Sequence, residues 1–291
     1  MRTALITYGY VTDAEGRLQG LITMRDLLFN ERTARLGDLM VKDPFFLSPT
    51  LKLSEALKLT LNRHYPVYPV CDAERRLLGL VRGAALFEEE AFEITAQPGA
   101  MVGVEKEERI ATPITKSFKF RNPWLLINLL TAFAAGGVVA IFQETVDRLV
   151  ILAVFLPVLA GQSGNTGCQA LAVTVRGITL GDVKAGAGKS LVSKEALLGI
   201  ANGAVTGLLC GAAMYLYALS QKSAYAPMLA LVVTLAMIGS CAISGISGAL
   251  VPLALKRLGA DPAVASSIFV TTATDVASMG MLLGLAALMI R

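Results

Sequence analysis

Five apolar stretches, about Pro123–Gln143, Leu149–Val175, Ala196–Ser220, Tyr225–Leu255 and Pro262–Ile290, fill residues 123–291 of this 291-residue chain. Each is long enough to cross roughly 30 Å of hydrocarbon as a helix. Charge divides the chain at the same place. Residues 1–122 hold 17 of the 26 Lys+Arg and 16 of the 22 Asp+Glu, so the remaining 9 basic and 6 acidic residues serve the whole apolar part. With 16% charged residues in all, against about 25% in ordinary soluble domains, a wholly soluble protein is excluded. The net charge of +4 is small and dispersed, which argues against a nucleic-acid partner.

Loop charges set an orientation. With the amino terminus in the cytoplasm, Arg176, Lys184, Lys189, Lys194, Lys256 and Arg257 fall inside, leaving Arg148 and Lys222 in the outer loops and Arg291 at the end. This obeys the positive-inside rule. Trp124 stands at the start of the first stretch as an interfacial anchor. Met1 to Thr12 hold no long apolar run, so no cleavable signal peptide is expected. The four cysteines lie far apart and His64 is the only histidine. Neither a disulfide framework, a His-based zinc site nor His-assisted nucleophilic catalysis has material to build from.

Residues 1–122 contain a repeat. Val11–Leu27 aligns with Val70–Leu86 through Asp13/Asp72, Ala14/Ala73, Glu15/Glu74, Arg17/Arg76, Leu18/Leu77 and Gly20/Gly79, among others. Each copy reads as strand, Asp-Ala-Glu turn, strand and short helix: Tyr8–Thr12 with Leu18–Thr23, then Pro66–Cys71 with Leu77–Val81. Between them Met40–Ser48 reads as extended, and Leu53–Arg63 as an amphipathic helix with Leu53, Ala56, Leu57 and Leu61 on one side. This unit resembles a tandem CBS module over about residues 4–92, with its first copy beginning inside the second half. The resemblance implies an adenine-nucleotide ribose contact at Thr23 and Asp26; the other reading is a helix cap with an acid in the first turn. Glu88, Glu89, Glu90 and Glu93 form either a solvated helix face or a low-affinity Mg²⁺ sensor, since carboxylate oxygens suit that cation. Thr112-Pro113 looks like a helix start. Ile114 and Phe118 then share a face beside Lys116, Lys119 and Arg121, suiting a short basic helix on the membrane surface.

In the membrane part, Gly199, Gly203, Gly207 and Gly211 recur every fourth residue, a stripe that lets helices approach closely. Ser240, Ser244 and Gly248 do similar work in the fourth span. The second span carries Gln162, Asn165, Thr166 and Gln169 at one-face spacing, flanked by Gly161, Gly164 and Gly167 and preceded by Pro157. An irregular backbone exposing carbonyls is expected there, tolerable only against protein or a water-filled cavity. Of the six acids, Glu144, Asp147, Asp182, Glu195 and Asp261 fall in loops or at helix ends, leaving Asp275 alone within a span. An Asp at mid-membrane costs about 2.5–3.5 kcal/mol on insertion scales, so it faces a polar interior, with Thr271 and Ser278 one turn to either side.

Leu156-Pro-Val-Leu-Ala-Gly-Gln-Ser-Gly-Asn165-Thr-Gly-Cys-Gln-Ala-Leu171 with Val175-Arg-Gly177 resembles the second-helix motif of the MgtE family of magnesium transporters. Asp261-Pro-Ala-Val-Ala-Ser-Ser-Ile-Phe-Val-Thr-Thr-Ala-Thr-Asp275 resembles that of the fifth. Lys194-Glu195 and Asn122-Pro-Trp-Leu125 match as well. The family's amino-terminal superhelical domain has no counterpart in the chain, and Gln162-Ser163 replaces a more usual Met-Gly. The resemblance implies an α-helical membrane protein of five transmembrane helices behind an α+β cytosolic CBS-type module: 1–97 the module, 98–122 a connecting amphipathic helix, 123–291 the pore domain. It further implies a homodimer in the cell (inner) membrane, with a pore lined by the second and fifth helices at the dimer axis. In that pore Asp275 holds hydrated Mg²⁺ and Asn165 assists. Gly161, Gln162, Gly164, Thr166, Gln169, Thr271 and Ser278 line it. Carboxylate, amides and carbonyls suit an ion that dehydrates reluctantly, and weak outer-sphere holding lets it leave. Three other readings are a carrier coupling Na⁺ or H⁺ to a divalent cation at Asp275, a non-transporting sensor, and an intramembrane serine protease built on Gly161-Gln-Ser163-Gly. The last lacks a histidine base in any span.

Overall fold

The repeat in the amino-terminal part folds twice into the same hairpin. The computed structural model describes residues 8–60, 63, 65–183, 186–264 and 266–290, without the side chains of Ser54, Lys58 and Glu90. Leu61, His64, Lys184 and Arg291 therefore lie outside the described residues. The chain divides into two compact units, Met1–Thr95 and Ala96–Arg291.

In the first unit β1 (Tyr8–Thr12) pairs antiparallel with β2 (Leu18–Thr23), and β2 with β3 (Val41–Lys42). A second sheet joins β4 (Val67–Cys71) to β5 (Leu77–Arg82). Both hairpins are bulged at the same repeat position, Val11/Thr12 and Val70/Cys71. The turn aspartates explain why. Asp13 Oδ1 accepts from the amides of Glu15 and Arg17, and Asp72 Oδ1 from those of Glu74 and Arg76, at 2.7–3.1 Å. Side-chain capping of this kind is what favours Asp in turns. The left-handed position falls on Gly16 in one copy and Arg75 in the other. The turns also zip together, Leu18 donating to Arg75 and Leu77 to Gly16. Leu47, Ala56, Leu57, Tyr68 and Leu86 form the core.

Around these sheets stand α1 (Met24–Phe29), α2 (Leu36–Leu39), α3 (Leu53–Thr60) and α4 (Gly83–Met101). The extended reading of Met40–Ser48 reduces to β3 and a single bridge from Leu47 to Val70. The helix closing the second copy is long, nineteen residues with Pro98 inside it. Its last turn belongs to the second unit.

Residues 98–122 do not form one connecting helix. They comprise the end of α4, a loop, and the start of α5 (Ile114–Ile141), which runs unbroken through Pro123 into the first span. The loop is anchored by Glu108, whose side chain is 4% exposed and paired with Arg121 at 2.6 Å. Gly103 adopts φ +79° with a Cβ position 2.7 Å from the Trp124 ring, so the ring packs onto the turn as only glycine permits.

Then follow α6 (Gln143–Arg148), a 3-10 segment at Val150–Val154, α7 (Leu156–Leu180), α8 (Gly188–Ser220), α9 (Ala226–Arg257) and α10 (Ser266–Met289). Among the described residues, five helical segments of the second unit are long and apolar enough to cross a membrane. The glycine stripe of α8 packs on α9: a Cβ at Gly203 would stand 2.9 Å from Ile238 Cα, and one at Gly207 2.9 Å from the Thr234 carbonyl oxygen. A core of Leu152, Leu159, Met214, Val232, Met237, Leu282 and Leu283 fills the end of the bundle at which α8 and α10 terminate. Arg148 donates to the carbonyl of Ile290, tying the end of α6 to the end of α10 where a cation is favoured.

A candidate ion path along α7 and α10

The polar run of the second span sits on a regular helix. α7 is α-helical from Leu156 to Leu180 with Pro157 in its first turn, which corrects the expected irregular backbone. Proline is harmless at a helix start, where its missing N–H has no partner to lose. The irregularity lies just before it, in the 3-10 segment. The glycines serve contact instead. A Cβ at Gly167 would meet Val270 Cγ1 at 2.8 Å and Thr274 Cγ2 at 3.0 Å, and one at Gly164 would lie 3.9 Å from Thr274 Oγ1. α7 and α10 thus touch at Gly164 and Thr274. Asn165 and Asp275 each follow in sequence a residue of this contact.

Their surroundings differ. Asn165 and Gln169 are exposed, Gln162 is half-buried, and Gly161 is open. Thr166 is buried, donating to the carbonyl of Gln162 and lying 3.6 Å from Cys241 Sγ of α9. Asp275 is half-buried, and no hydrogen bond or ion pair engages its carboxylate among the described residues. Thr271 and Ser278 turn their hydroxyls onto carbonyls of α10 itself, those of Ile268 and Asp275, at 3.0 and 3.1 Å. They line the helix flank without bonding the carboxylate.

One cavity of about 300 Å³ gathers Gln162, Asn165, Thr166 and Gln169 with Asn202, Val205 and Thr206 of α8. Asp275 is not among its lining residues. Sequence reasoning missed Asn202 and Thr206; an amide and a hydroxyl one turn apart in an otherwise apolar helix was the available signal. Glu195 was also misplaced. It lies two turns inside α8, 6% exposed, and not at a helix end. A second cavity of about 200 Å³ is lined by Glu195 together with Lys194, Thr166, Gln169 and Asn202.

The candidates of the first unit are dispersed. Thr23 caps α1: its hydroxyl accepts from the Asp26 amide at 3.2 Å and donates to the Asp26 carboxylate at 2.6 Å. Glu88, Glu89 and Glu93 lie along α4, and the side chain of Glu90 is outside the described set. No group of three or more His, Cys, Asp or Glu gathers in metal-binding geometry among the described residues. Ser163, the nucleophile of the protease reading, is fully buried and donates to the carbonyl of Ala160. At the other end of the bundle, the tip of α4 rests on α7 and α10. Ala100 packs with Leu171, Val175, Ala263 and Val270, Gln97 donates to Thr179 at 2.7 Å, and Ser267 donates to the Met101 carbonyl at 2.7 Å.

Residues 156–285 match the divalent cation transporter family MgtE, and residues 36–89 match the CBS domain. The magnesium transporter MgtE of Enterococcus faecalis is 30% identical over 98% of this chain, and that of Thermus thermophilus 28% over the same share. The chain covers 62% of the length of each. The solved cytosolic domain of the Mg²⁺ channel MgtE in complex with ATP is 29% identical over 29% of this chain and 34% of that one, with a TM-score of 0.28. A likeness that small bears on neither fold nor ligand.

Proposed function

Since residues 156–285 carry the MgtE divalent cation transporter domain in a multi-pass membrane chain, we propose that the protein passes Mg²⁺ through a channel-like path lined by α7 and α10 at the axis of a homodimer. The observation that carries this is the carboxylate of Asp275 at mid-helix, without a partner among the described residues and next in sequence to Thr274, where α10 meets α7 at Gly164. A half-buried acid without a partner inside a span is costly, and a hydrated dication shared with its twofold mate offsets that cost. Holding the ion through its water shell asks for few carboxylates and several neutral oxygens. Gln162, Asn165 and Gln169 supply amides along α7, and Gly161, Gly164, Thr166, Thr271 and Ser278 the remaining wall. The membrane is the cell (inner) membrane, with the amino terminus in the cytoplasm.

Regulation enters from the CBS unit. The α4 tip touches α7 and α10 through Ala100, Gln97 and Met101, so a change in α4 reaches the inner end of the path. Mg²⁺ at Glu88, Glu89, Glu90 and Glu93, or an adenine nucleotide at Thr23 and Asp26, would act through that helix.

The test is rescue of a Mg²⁺-requiring bacterial strain by this chain and by Asp275→Ala at matched membrane abundance. Loss of rescue with the variant is expected, and equal rescue by both removes the assignment. Flux that follows only the Mg²⁺ gradient and voltage supports a channel. Flux that stops without Na⁺ or a pH gradient makes Asp275 the site of a coupled carrier.

A further inference from the structure

Asp275 is not the one acid inside the bundle. Glu195 lies on α8 at 6% exposure, and its backbone carbonyl packs against Gly245 of α9. No hydrogen bond or ion pair engages its carboxylate among the described residues. Lys194, its neighbour in sequence, is exposed, lines the same cavity and makes no ion pair with it. The carboxylate has one polar outlet, the cavity of about 200 Å³ that it lines with Thr166, Gln169 and Asn202. A water molecule takes about 30 Å³ of liquid volume, so this space accommodates an ion with most of its water shell. The three polar residues also line the larger cavity beside Asn165, so the two spaces share a wall.

We propose that Glu195, Gln169 and Asn202 form a second hydrated-divalent-cation site on the cytoplasmic side of α7, separate from Asp275. It rests on the divalent-cation reading above. One carboxylate with two amide oxygens is a hard-oxygen donor set that leaves most ligands as water. It accounts for an acid that is 6% exposed in α8 and has no partner among the described residues, since burying an uncompensated carboxylate is costly. A site at this point gives an ion leaving the Asp275 level a second stop, and multi-site binding is what allows an ion to be held and still released.

Mn²⁺ serves as the probe, titrated into the purified full chain in detergent and followed by electron paramagnetic resonance. In a background with Glu88, Glu89, Glu90 and Glu93 replaced by Gln, the chain is expected to bind Mn²⁺ in two classes. Glu195→Gln should weaken one class at least tenfold and leave the other, which Asp275→Asn should remove. Asn202→Ala keeps every charge and should weaken the Glu195 class about threefold. It decides the matter if Glu195→Gln does not fold. Lys194→Met removes a neighbouring positive charge and should tighten that class. Unchanged binding in Glu195→Gln, or in Asn202→Ala, overturns the proposal, as does weakening by Lys194→Met, which would mark an anion site. If Asp275→Asn alone removes binding, the second site falls and the transport reading stands. If Asp275→Ala rescues growth fully, the transport reading falls, and two Mn²⁺ classes would still establish the Glu195 site.

Discussion

Single side chains in this protein hold positions that their neighbours in sequence do not explain. Glu108 is the clearest case outside the membrane. Its Oε1 takes the Arg121 guanidinium at 2.6 Å while Oε2 is buried without a partner. The hydrogen bond from Arg121, with the Ser117 hydroxyl nearby, holds its carboxyl below the ordinary glutamate range. A carboxyl with a depressed folded pKa stabilises the fold fully above its unfolded value, about 4.3, and loses that contribution as pH falls through the folded value. The loop before α5 should therefore exchange its amides faster as pH drops below about 4.3. Glu108→Gln should flatten this dependence, read by hydrogen exchange with the intrinsic rate removed. An identical profile in wild type and variant would show that the pair does not hold the loop. Thr23 makes a second residue-scale case. Its hydroxyl caps α1, so Thr23→Ala should cost about 1 kcal/mol of local stability. Raised exchange over α1 that leaves β4 and β5 unchanged is the expected readout, and no change would mean the cap is idle.

Whole elements show which kinds of sequence signal survive folding. The Asp-Ala-Glu repeat was legible because turn chemistry is local: each aspartate bonds amides two and four residues on, whatever surrounds it. The four-residue glycine stripe of α8 was legible because its period matches a helix face. The glycines of α7 were misread since composition does not say whether a glycine bends a helix or admits a neighbour. Gly167 admits Val270, Thr274 and the Ser244 carbonyl, and the helix stays straight. Asn202 and Glu195 escaped because their roles depend on which face of α8 meets α7, a tertiary fact. The close approach of α8 and α9 yields its own prediction. At Gly203 a Cβ meets backbone, which cannot rotate away. Gly203→Ala should thus destabilise by about 1–3 kcal/mol as overpacking, whereas Gly136→Ala, with open space around it, should cost far less. Thermal aggregation of the detergent-solubilised chain compares them, and equal midpoints would refute the tight contact.

At the scale of the whole molecule, the division of charge along the chain predicts where a second copy belongs. α5 turns Leu125, Leu129, Leu130 and Phe133 outward, an apolar surface suited to lipid. α7 leaves Asn165 and Gln169 exposed, which lipid does not tolerate. The polar flank of α7 and the carboxylate of α10 need a water-filled or protein-covered neighbour, and the twofold copy of the proposed homodimer would give both. Spacing then discriminates a pore from a dry interface. A direct disulfide needs Cα atoms closer than about 7 Å, which leaves no room for an ion with its water shell. In a background with Cys71, Cys168, Cys210 and Cys241 replaced by Ala, Asp275→Cys should resist oxidation to a dimer. It should nevertheless cross-link through a bifunctional thiol reagent with a spacer of about 10 Å, a length that adds a hydrated ion's width to the disulfide limit. Leu130→Cys should do neither. Efficient direct oxidation at position 275 would mean the axis is closed and dry there, and cross-linking at 130 instead would put α5, not α10, at the subunit contact.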